Sequence, residues 1–227
     1  MLKKINKVHL DGVLEGFELV GATGDHSFAL ASLVTLHARP GVSVEAPQSE
    51  RYAKIHHELR IVSNSGNVDA LDSFSKAFGE ARSKGVPYPC SVDGHLFSDG
   101  NEAYVVCGVD DLKRIDRIKT SGNNRVNITG EVVSTSHTNE TATIRLKTDE
   151  GTISSFIFRR QNQSNWDMVV DGKVSKGDSL SIIGPLLSNR MTDGKKVLRF
   201  CQVSPHLIQK LNLEKSVTRK KGAFALN

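Results

Sequence analysis

The sequence predicts a mainly β chain that forms two tandem five-stranded Greek-key barrels, the first of which carries a helix. Three observations predict this architecture. Apolar and polar residues alternate with a period of two over most of the 227 residues, which is typical of half-buried strands. A single long segment has the spacing of an amphipathic helix. The strand pattern of the first half then restarts near residue 125.

The first half contains five segments with the composition of strands. Each alternates apolar and polar positions and is bounded by clusters of Gly, Asn, Asp or Ser. In the second of them, Phe28, Leu30, Val34 and Leu36 fall on one face, with Ser32 the only polar residue among them, because side chains of a strand alternate between its two sides. The predicted strands cover residues 7–14, 27–37, 55–62, 90–96 and 103–109.

Residues 67–83 have a different period. Leu71, Phe74 and Phe78 recur at the spacing of one helix face, and Gly85 follows as a stop signal. Their stripe predicts that these side chains are core rather than surface. Strands, one helix and two further strands are the element order of an OB barrel, so we expect the first half to form one.

The second half repeats landmarks of the first half in the same order. The matched stretches share charge, alternation and the positions of their glycines, which predicts a duplicated fold. The matches are 7–14 with 125–132, 83–85 with 175–177, and 99–100 with 193–194. The long helix is not repeated, because residues 162–171 leave room for only a turn or two.

The two halves differ in charge. Residues 1–116 hold 12 Lys and Arg against 16 Asp and Glu, a net charge of −4, whereas residues 117–227 hold 18 against 9, a net charge of +9. We therefore expect the second half to make most contacts with a polyanion. The predicted bounds are 1–117 for the first OB domain, 118–124 for a linker, 125–212 for the second OB domain and 213–227 for a basic flexible tail.

Several functional classes are disfavoured by the sequence. No apolar run approaches the roughly 20 residues that span a bilayer, and no apolar segment follows the basic start of the chain, so we expect a cytoplasmic protein with no membrane partner. Phosphate-loop, nucleophile-elbow and zinc-protease motifs are missing from the sequence, as is Cys and His spacing typical of a metal site. We expect no catalytic residues, no metal and no cofactor.

Four stretches resemble one known family. Residues 6–14 read Asn-Lys-Val-His-Leu-Asp-Gly-Val-Leu, residues 28–31 read Phe-Ala-Leu-Ala, residues 174–186 carry Lys-Gly before a strand ending in Gly-Pro-Leu, and residues 190–193 read Arg-Met-Thr-Asp. They resemble the motifs N-K-V-x-L-x-G-x-L, F-x-L-A, K-G with G-x-L, and R/K-W-T-D of bacterial single-stranded DNA-binding proteins. The resemblance spans residues 5–210. It implies a tandem OB-fold variant that binds single-stranded DNA in replication, recombination or the propagation of a mobile element.

The chain also departs from that family. Met191 stands where the family's hairpin has Trp, and Trp166 is the single Trp of the chain. His56 and His57 lie near the position of an aromatic residue in the family's third strand. The Gly/Gln-rich linker and acidic tip of the family are replaced by a basic segment at residues 215–221. The resemblance therefore supports strand binding but gives no reason to expect recruitment of replication enzymes by an acidic tail.

A sequence-tolerant strand binder needs cations along a groove and exposed aromatic faces on which bases stack. Phe156 and Phe158 share one face of a strand and precede Arg159 and Arg160. If Ile157 faces the core, both rings face outward beside the arginines. The alternative is that the two rings fill the barrel and Ile157 is exposed.

Further candidates are weaker. Trp166 either stacks on a base or caps the barrel where a long helix is missing. A basic hairpin provides a second candidate surface, and its alternative is a solvated turn. The hairpin candidates are Arg190, Met191, Lys195, Lys196 and Arg199, and the first-half candidates are Lys7, Tyr52, His56 and Arg60.

Three functional hypotheses remain open on the sequence. The first is protection of single-stranded DNA by stacking and phosphate contacts. In the second, the acidic first barrel docks a protein partner from replication or recombination. The third is binding of single-stranded RNA, because a stacking groove tolerates either sugar. A homodimer is a further possibility, since the family assembles four OB folds.

Overall fold

The computed structural model describes residues 4–23, 26–39, 42–63, 68–99, 102–118, 124–193 and 196–211. The predicted tail at 213–227 and most of the predicted linker lie outside these residues. The described part is mainly β and contains two barrels, which confirms the predicted fold class. The elements of the first barrel are β1 (Asn6–Thr23), β2 (His26–Ala38), α1 (Gln48–Arg51), β3 (Tyr52–Ser63), α2 (Val68–Ser83), β4 (Tyr88–Ser98), β5 (Ala103–Gly108) and β6 (Leu112–Arg114).

The second barrel repeats this order with a shorter helix. Its elements are β7 (Asn124–His137), β8 (Thr141–Thr148), β9 (Gly151–Phe158), α3 (Gln163–Val170), β10 (Ser179–Gly184), β11 (Leu186–Asp193), β12 (Lys196–Val203) and β13 (Leu207–Lys210). Pro185 separates β10 from β11, so these two strands together take the place that β4 has in the first barrel. Because proline has no N–H to donate, it interrupts the strand at this point.

Both barrels close in the same way. In the first, β1, β2 and β3 pair antiparallel in sequence, β3 pairs in parallel with β5, and β4 returns to both β5 and β1. In the second, β7, β8 and β9 pair antiparallel, β9 runs parallel to β12, and β10 returns to β7. The parallel closing pairs, β3 with β5 and β9 with β12, give the two halves one topology.

The helix α2 closes one end of the first barrel, as its apolar stripe predicts. Leu71 and Phe78 are buried, and the rings of Phe74 and Phe78 pack edge-on against Tyr88. Strand β2 differs from the simplest interpretation of its pattern. The small side chains of Ala29 and Ala31 face the core with Leu33. On the alternate face Leu36 is exposed, whereas Val34 is buried.

Corresponding glycines mark close backbone approaches in the two barrels. A Cβ on Gly12 would overlap the carbonyl oxygen of Val34, and a Cβ on Gly130 would overlap that of Lys147. Likewise, a Cβ on Gly94 would overlap the carbonyl oxygen of Val106. The glycines that match in the duplicated sequence therefore match in structure, because a small barrel needs strands that pass closely at these points.

The substitution Gly12→Ala tests this constraint. We expect the free energy of unfolding to fall by about 1–3 kcal/mol, because the added methyl must displace a buried backbone carbonyl. The measurement is urea unfolding followed by circular dichroism. Gly79→Ala is the matched control, since nothing lies within 4 Å of a Cβ at this position of α2. There the change to Ala is expected to stabilise by about 0.5–1 kcal/mol. Equal effects of the two substitutions would contradict the argument.

The two barrels are joined by a shared sheet. The start of β1 pairs antiparallel with the start of β7, with Val8 opposite Val126 at the centre of the paired segment. Asn6 lies opposite Ile128 at one end and Leu10 opposite Asn124 at the other. Because Asn6 corresponds to Asn124 in the repeat, exchanging the barrels maps this register onto itself. An approximate two-fold axis therefore passes between the two valines.

Matching asparagines extend this symmetry. The Asn6 side chain donates to the carbonyl of Leu96 at 2.8 Å and accepts from the N–H of Leu96 at 3.0 Å. Asn124 makes the same pair of bonds with Leu186, at 2.8 and 2.6 Å. Each asparagine therefore satisfies a backbone donor and acceptor where its own barrel meets the other one.

A buried histidine of the first barrel also contacts the second barrel. His57 of β3 is 1% exposed, and its Nε2 lies 2.8 Å from the Oγ1 of Thr35. Its Nδ1 lies 2.9 Å from the Oγ of Ser188 in the second barrel. Burial, and secondarily the neighbouring His56, lower the pKa of His57 to about 3. The imidazole is therefore neutral at physiological pH, and it contacts Ser188 of the second barrel in that state.

Candidate nucleic-acid interface

The outer surface of β8 and β9 carries the two phenylalanines singled out above. Ile157 is 1% exposed and faces the core, so Phe156 and Phe158 face away from it. Phe158 is 40% exposed and Phe156 is partly exposed. Their ring centroids lie 6.4 Å apart with an angle of 43° between the planes. Of the two orientations open on the sequence, the structure has the one that leaves both rings accessible.

The same surface carries two cations that were not among the predicted site residues. Arg145 and Lys147 alternate along β8 with the buried Ile144 and Leu146, so both face outward and are exposed. Neither side chain forms an ion pair or a hydrogen bond with the described residues. The sequence signal for them is strict alternation in the stretch Thr-Ala-Thr-Ile-Arg-Leu-Lys-Thr. This pattern places every second residue on the outer side of the strand.

Cross-strand register places these groups in one array. Thr141 lies opposite Phe158, Thr143 opposite Phe156, and Arg145 opposite Ser154. We call this surface the β8–β9 face. Its members are Thr141, Thr143, Arg145, Lys147, Thr152, Ser154, Phe156 and Phe158. One acid borders it, because Glu131 of β7 lies opposite Lys147. Aromatic rings, cations and hydroxyl groups can together contact bases, phosphates and sugars.

Of the two roles open for Trp166, the structure favours the cap at the end of the second barrel. This residue is 9% exposed and packs at the end of the second barrel, and the guanidinium of Arg159 lies 4.6 Å from its ring centroid. The prediction that it stacks on a base is at odds with this burial. Arg159 is held by this stacking and by a 3.0 Å bond from its Nε to Gln163. Both residues therefore organise the start of α3, and Arg160 is left as the free cation of the pair among the described residues.

The basic hairpin can be placed only by its backbone. Arg190 pairs with Arg199, and Met191 follows on the same strand of the β11–β12 ladder, which also contains Lys196. Lys195 lies outside the described residues, and the side chains of the other four do as well. Strand β12 runs beside β9, with Gln202 next to Ser154. The hairpin therefore belongs to the sheet that carries the β8–β9 face, and its binding role stays a prediction.

The first-half candidates are dispersed. Arg60 is engaged by Glu102 at 2.9 Å and lies 3.5 Å from the ring centroid of Tyr104. His56 lies 3.5 Å from a carboxylate oxygen of Glu15. These neighbours make both residues poor contacts for phosphate.

Lys7 and Tyr52 have different surroundings. Lys7 is exposed at the joint, opposite Asn127 of β7. Tyr52 lines the same cleft between the barrels as Phe158 and Arg160. The structure thus brings one first-half candidate together with two from the second half.

The described residues show no arrangement typical of a metal site. The described residues contain no group of three His, Cys, Asp or Glu side chains arranged to hold a metal ion. Cys90 and Cys107 are buried in the first core, and burial raises the pKa of each thiol to about 12. Among the described residues, no helix has the length and apolar character that crossing a membrane requires.

The arrangement of barrels matches a known structure. A crystal structure of the wild-type single-stranded DNA-binding protein from Thermus aquaticus superposes with a TM-score of 0.63 over 93% of this chain and 95% of that chain, at 17% sequence identity. The chain has that protein's fold. A deletion variant of the same protein gives a TM-score of 0.58 at 17% identity, over 93% of this chain and 97% of that one. No protein-family model and no curated protein matches the sequence.

Proposed function

We propose that this protein binds single-stranded DNA with little sequence preference and that the β8–β9 face is its principal contact surface. The observation that carries the proposal is the outward pair Phe156 and Phe158 beside Arg145 and Lys147, which form no ion pair with the described part of the chain. Rings accept any base by stacking, and cations follow the phosphates. The fold shared with the Thermus aquaticus protein supports the same function.

We further propose a biological setting for this binding. The protein acts without catalysis or a cofactor, protecting strands exposed in the cytoplasm during replication, recombination or the propagation of a mobile element. A homodimer of this chain would bring four barrels together. Residues 125–212 hold 12 Lys and Arg against 8 Asp and Glu, whereas residues 1–116 have a net charge of −4. This difference supports a dominant second barrel, since a polyanion is attracted to the more cationic surface.

The direct test is a fluorescence anisotropy titration of labelled oligo-dT across a series of salt concentrations. We expect affinity that falls steeply as salt rises, because phosphate contacts release counterions. Oligo-U in the same assay tests the RNA alternative. Absence of oligo-dT binding at low salt would overturn the proposal.

The double variant Arg145→Gln/Lys147→Gln tests the phosphate contacts. Each contact contributes about 0.7 to the slope of log affinity against log salt for a single strand, so the slope should fall by about 1.4. The matched control is Lys76→Gln/Lys84→Gln, which removes two exposed cations at α2 and its end, away from the face. An unchanged slope in the first variant, or an equal loss in the control, would refute a role for these cations.

A protein-docking role for the first barrel is the second candidate. Apolar side chains face outward there, including Val62 at 38% and Leu36 at 47% exposure, while Arg60 is engaged by Glu102. Cutting the chain between the barrels would expose the β1–β7 ladder, so variants of the intact protein are the appropriate test. If the first barrel only docks protein, Tyr52→Leu leaves oligo-dT affinity unchanged; a clear loss would place the first barrel in the DNA path.

A further inference from the structure

A cleft of about 990 Å³ opens between the two barrels. The first barrel contributes the end of β2, the start of α1 and the start of β3. The second contributes the starts of β7 and α3, the ends of β9 and β10, and the turn before β13. Sites that hold small ligands have volumes of roughly 300–1,000 Å³, so this cleft has room for at least one nucleotide.

The cleft has an unusual charge for this chain. None of the described residues that line it is acidic, although residues 1–116 carry a net charge of −4. Arg125 and Arg160 line it, and neither forms an ion pair or a hydrogen bond with the described residues. The cleft therefore offers two available guanidinium groups in a space without carboxylates, and planar guanidinium groups suit phosphate oxygens.

Aromatic and imidazole rings complete the lining. Tyr52 enters from the first barrel and Phe158 from the second, and both are accessible within the cleft. His37 and His206 line it as well. Burial, followed by the nearby His206, lowers the pKa of His37. His37 therefore adds little positive charge at neutral pH, and the rings provide surfaces for a base.

We propose that this cleft binds nucleotides of the same strand that contacts the β8–β9 face, with phosphate at Arg125 and Arg160 and a base against Tyr52 or Phe158. The inference rests on the proposed function. It is supported by continuity, because Phe158 belongs to both the face and the cleft. The strand therefore passes between the barrels, and the first barrel contributes to binding through Tyr52 rather than through its acidic surface.

The test uses the intact protein and two lengths of oligo-dT, about 8 and about 30 nucleotides, since one OB fold covers about 4–16. Ala38→Glu adds a carboxylate to the lining of the cleft. We expect it to weaken binding of the long oligonucleotide about tenfold, the size of a lost phosphate or stacking contact. Ser73→Glu on α2 adds the same charge away from the cleft and is expected to leave both affinities unchanged.

A direct readout is provided by Tyr52→Trp, which keeps an aromatic ring in the cleft. We expect its fluorescence to be quenched when the long oligo-dT binds, with the parent protein as the correction for Trp166. Quenching together with the loss in Ala38→Glu supports the cleft, whether or not the short oligonucleotide is also affected. Unchanged long-oligonucleotide affinity in Ala38→Glu and no quenching overturn it and leave the β8–β9 face standing. Failure of the parent protein to bind either length overturns the proposed function itself.

Discussion

Replacing both Phe156 and Phe158 with Ala is expected to weaken oligo-dT binding by about 2–6 kcal/mol, because each stacked base contributes about 1–3 kcal/mol. Both rings lie on the outer side of β9, so their removal leaves the core residue Ile157 in place. The measurement is anisotropy at fixed salt, with thermal unfolding followed by the fluorescence of Trp166 as the check on folding.

The double variant Phe156→Leu/Phe158→Leu separates stacking from general apolar contact. Leucine keeps most of the apolar surface but has no π face, so its affinity should lie close to that of the Ala variant. Parental affinity in the Leu variant would show that hydrophobic contact suffices and that base stacking is not the source of binding. Phe156→Tyr/Phe158→Tyr, which keeps the rings, is expected to restore the parental affinity.

We expect the free energy of unfolding to fall at acid pH because of His57. In the folded chain the pKa of His57 is lowered to about 3, whereas an unfolded histidine titrates near 6.5. Between these values the unfolded state binds the extra proton, so stability is lost as pH falls below 6.5. The expected loss from this group is about 2 kcal/mol at pH 5 and grows as pH approaches 3. Urea unfolding at pH 7.5, 6 and 5 measures it.

His57→Gln isolates the contribution of this side chain. The amide still offers a donor and an acceptor to Thr35 and Ser188 but does not titrate, so the variant should lose less stability between pH 7.5 and 5 than the parent. His137→Gln, at an exposed position at the end of β7, is the control and should keep the parental pH dependence. An unaltered pH dependence in His57→Gln would show that the buried imidazole is not responsible.

Local sequence patterns account for much of the fold. Alternation located the strands of the first barrel, and the apolar stripe of Leu71, Phe74 and Phe78 located α2. Matching glycines such as Gly12 and Gly130 predicted the duplication, because both mark strands that pass closely. These features could be predicted since each depends on neighbours within a few residues or on a repeated spacing.

The residues of the candidate site were harder to predict from local patterns. Alternation divides a strand into two faces but does not say which one the core takes, so the orientation of Phe156 stayed open. The burial of Trp166 depends on how α3 packs over the barrel, which one residue in a short helix does not reveal. Tyr52 and Arg160 line one cleft because of the register of β1 against β7, which pairs residues more than a hundred positions apart.

The approximate two-fold axis between Val8 and Val126 has a consequence for how such a protein can change. In a symmetric assembly of identical barrels, every substitution appears in each copy, so a change that helps one surface alters its equivalents. Here the two barrels are encoded separately within one chain, and a mutation affects one alone. One barrel can therefore acquire cations and exposed rings while the other accumulates carboxylates, as long as the matched asparagines at the joint and the close-packed glycines within each barrel are kept.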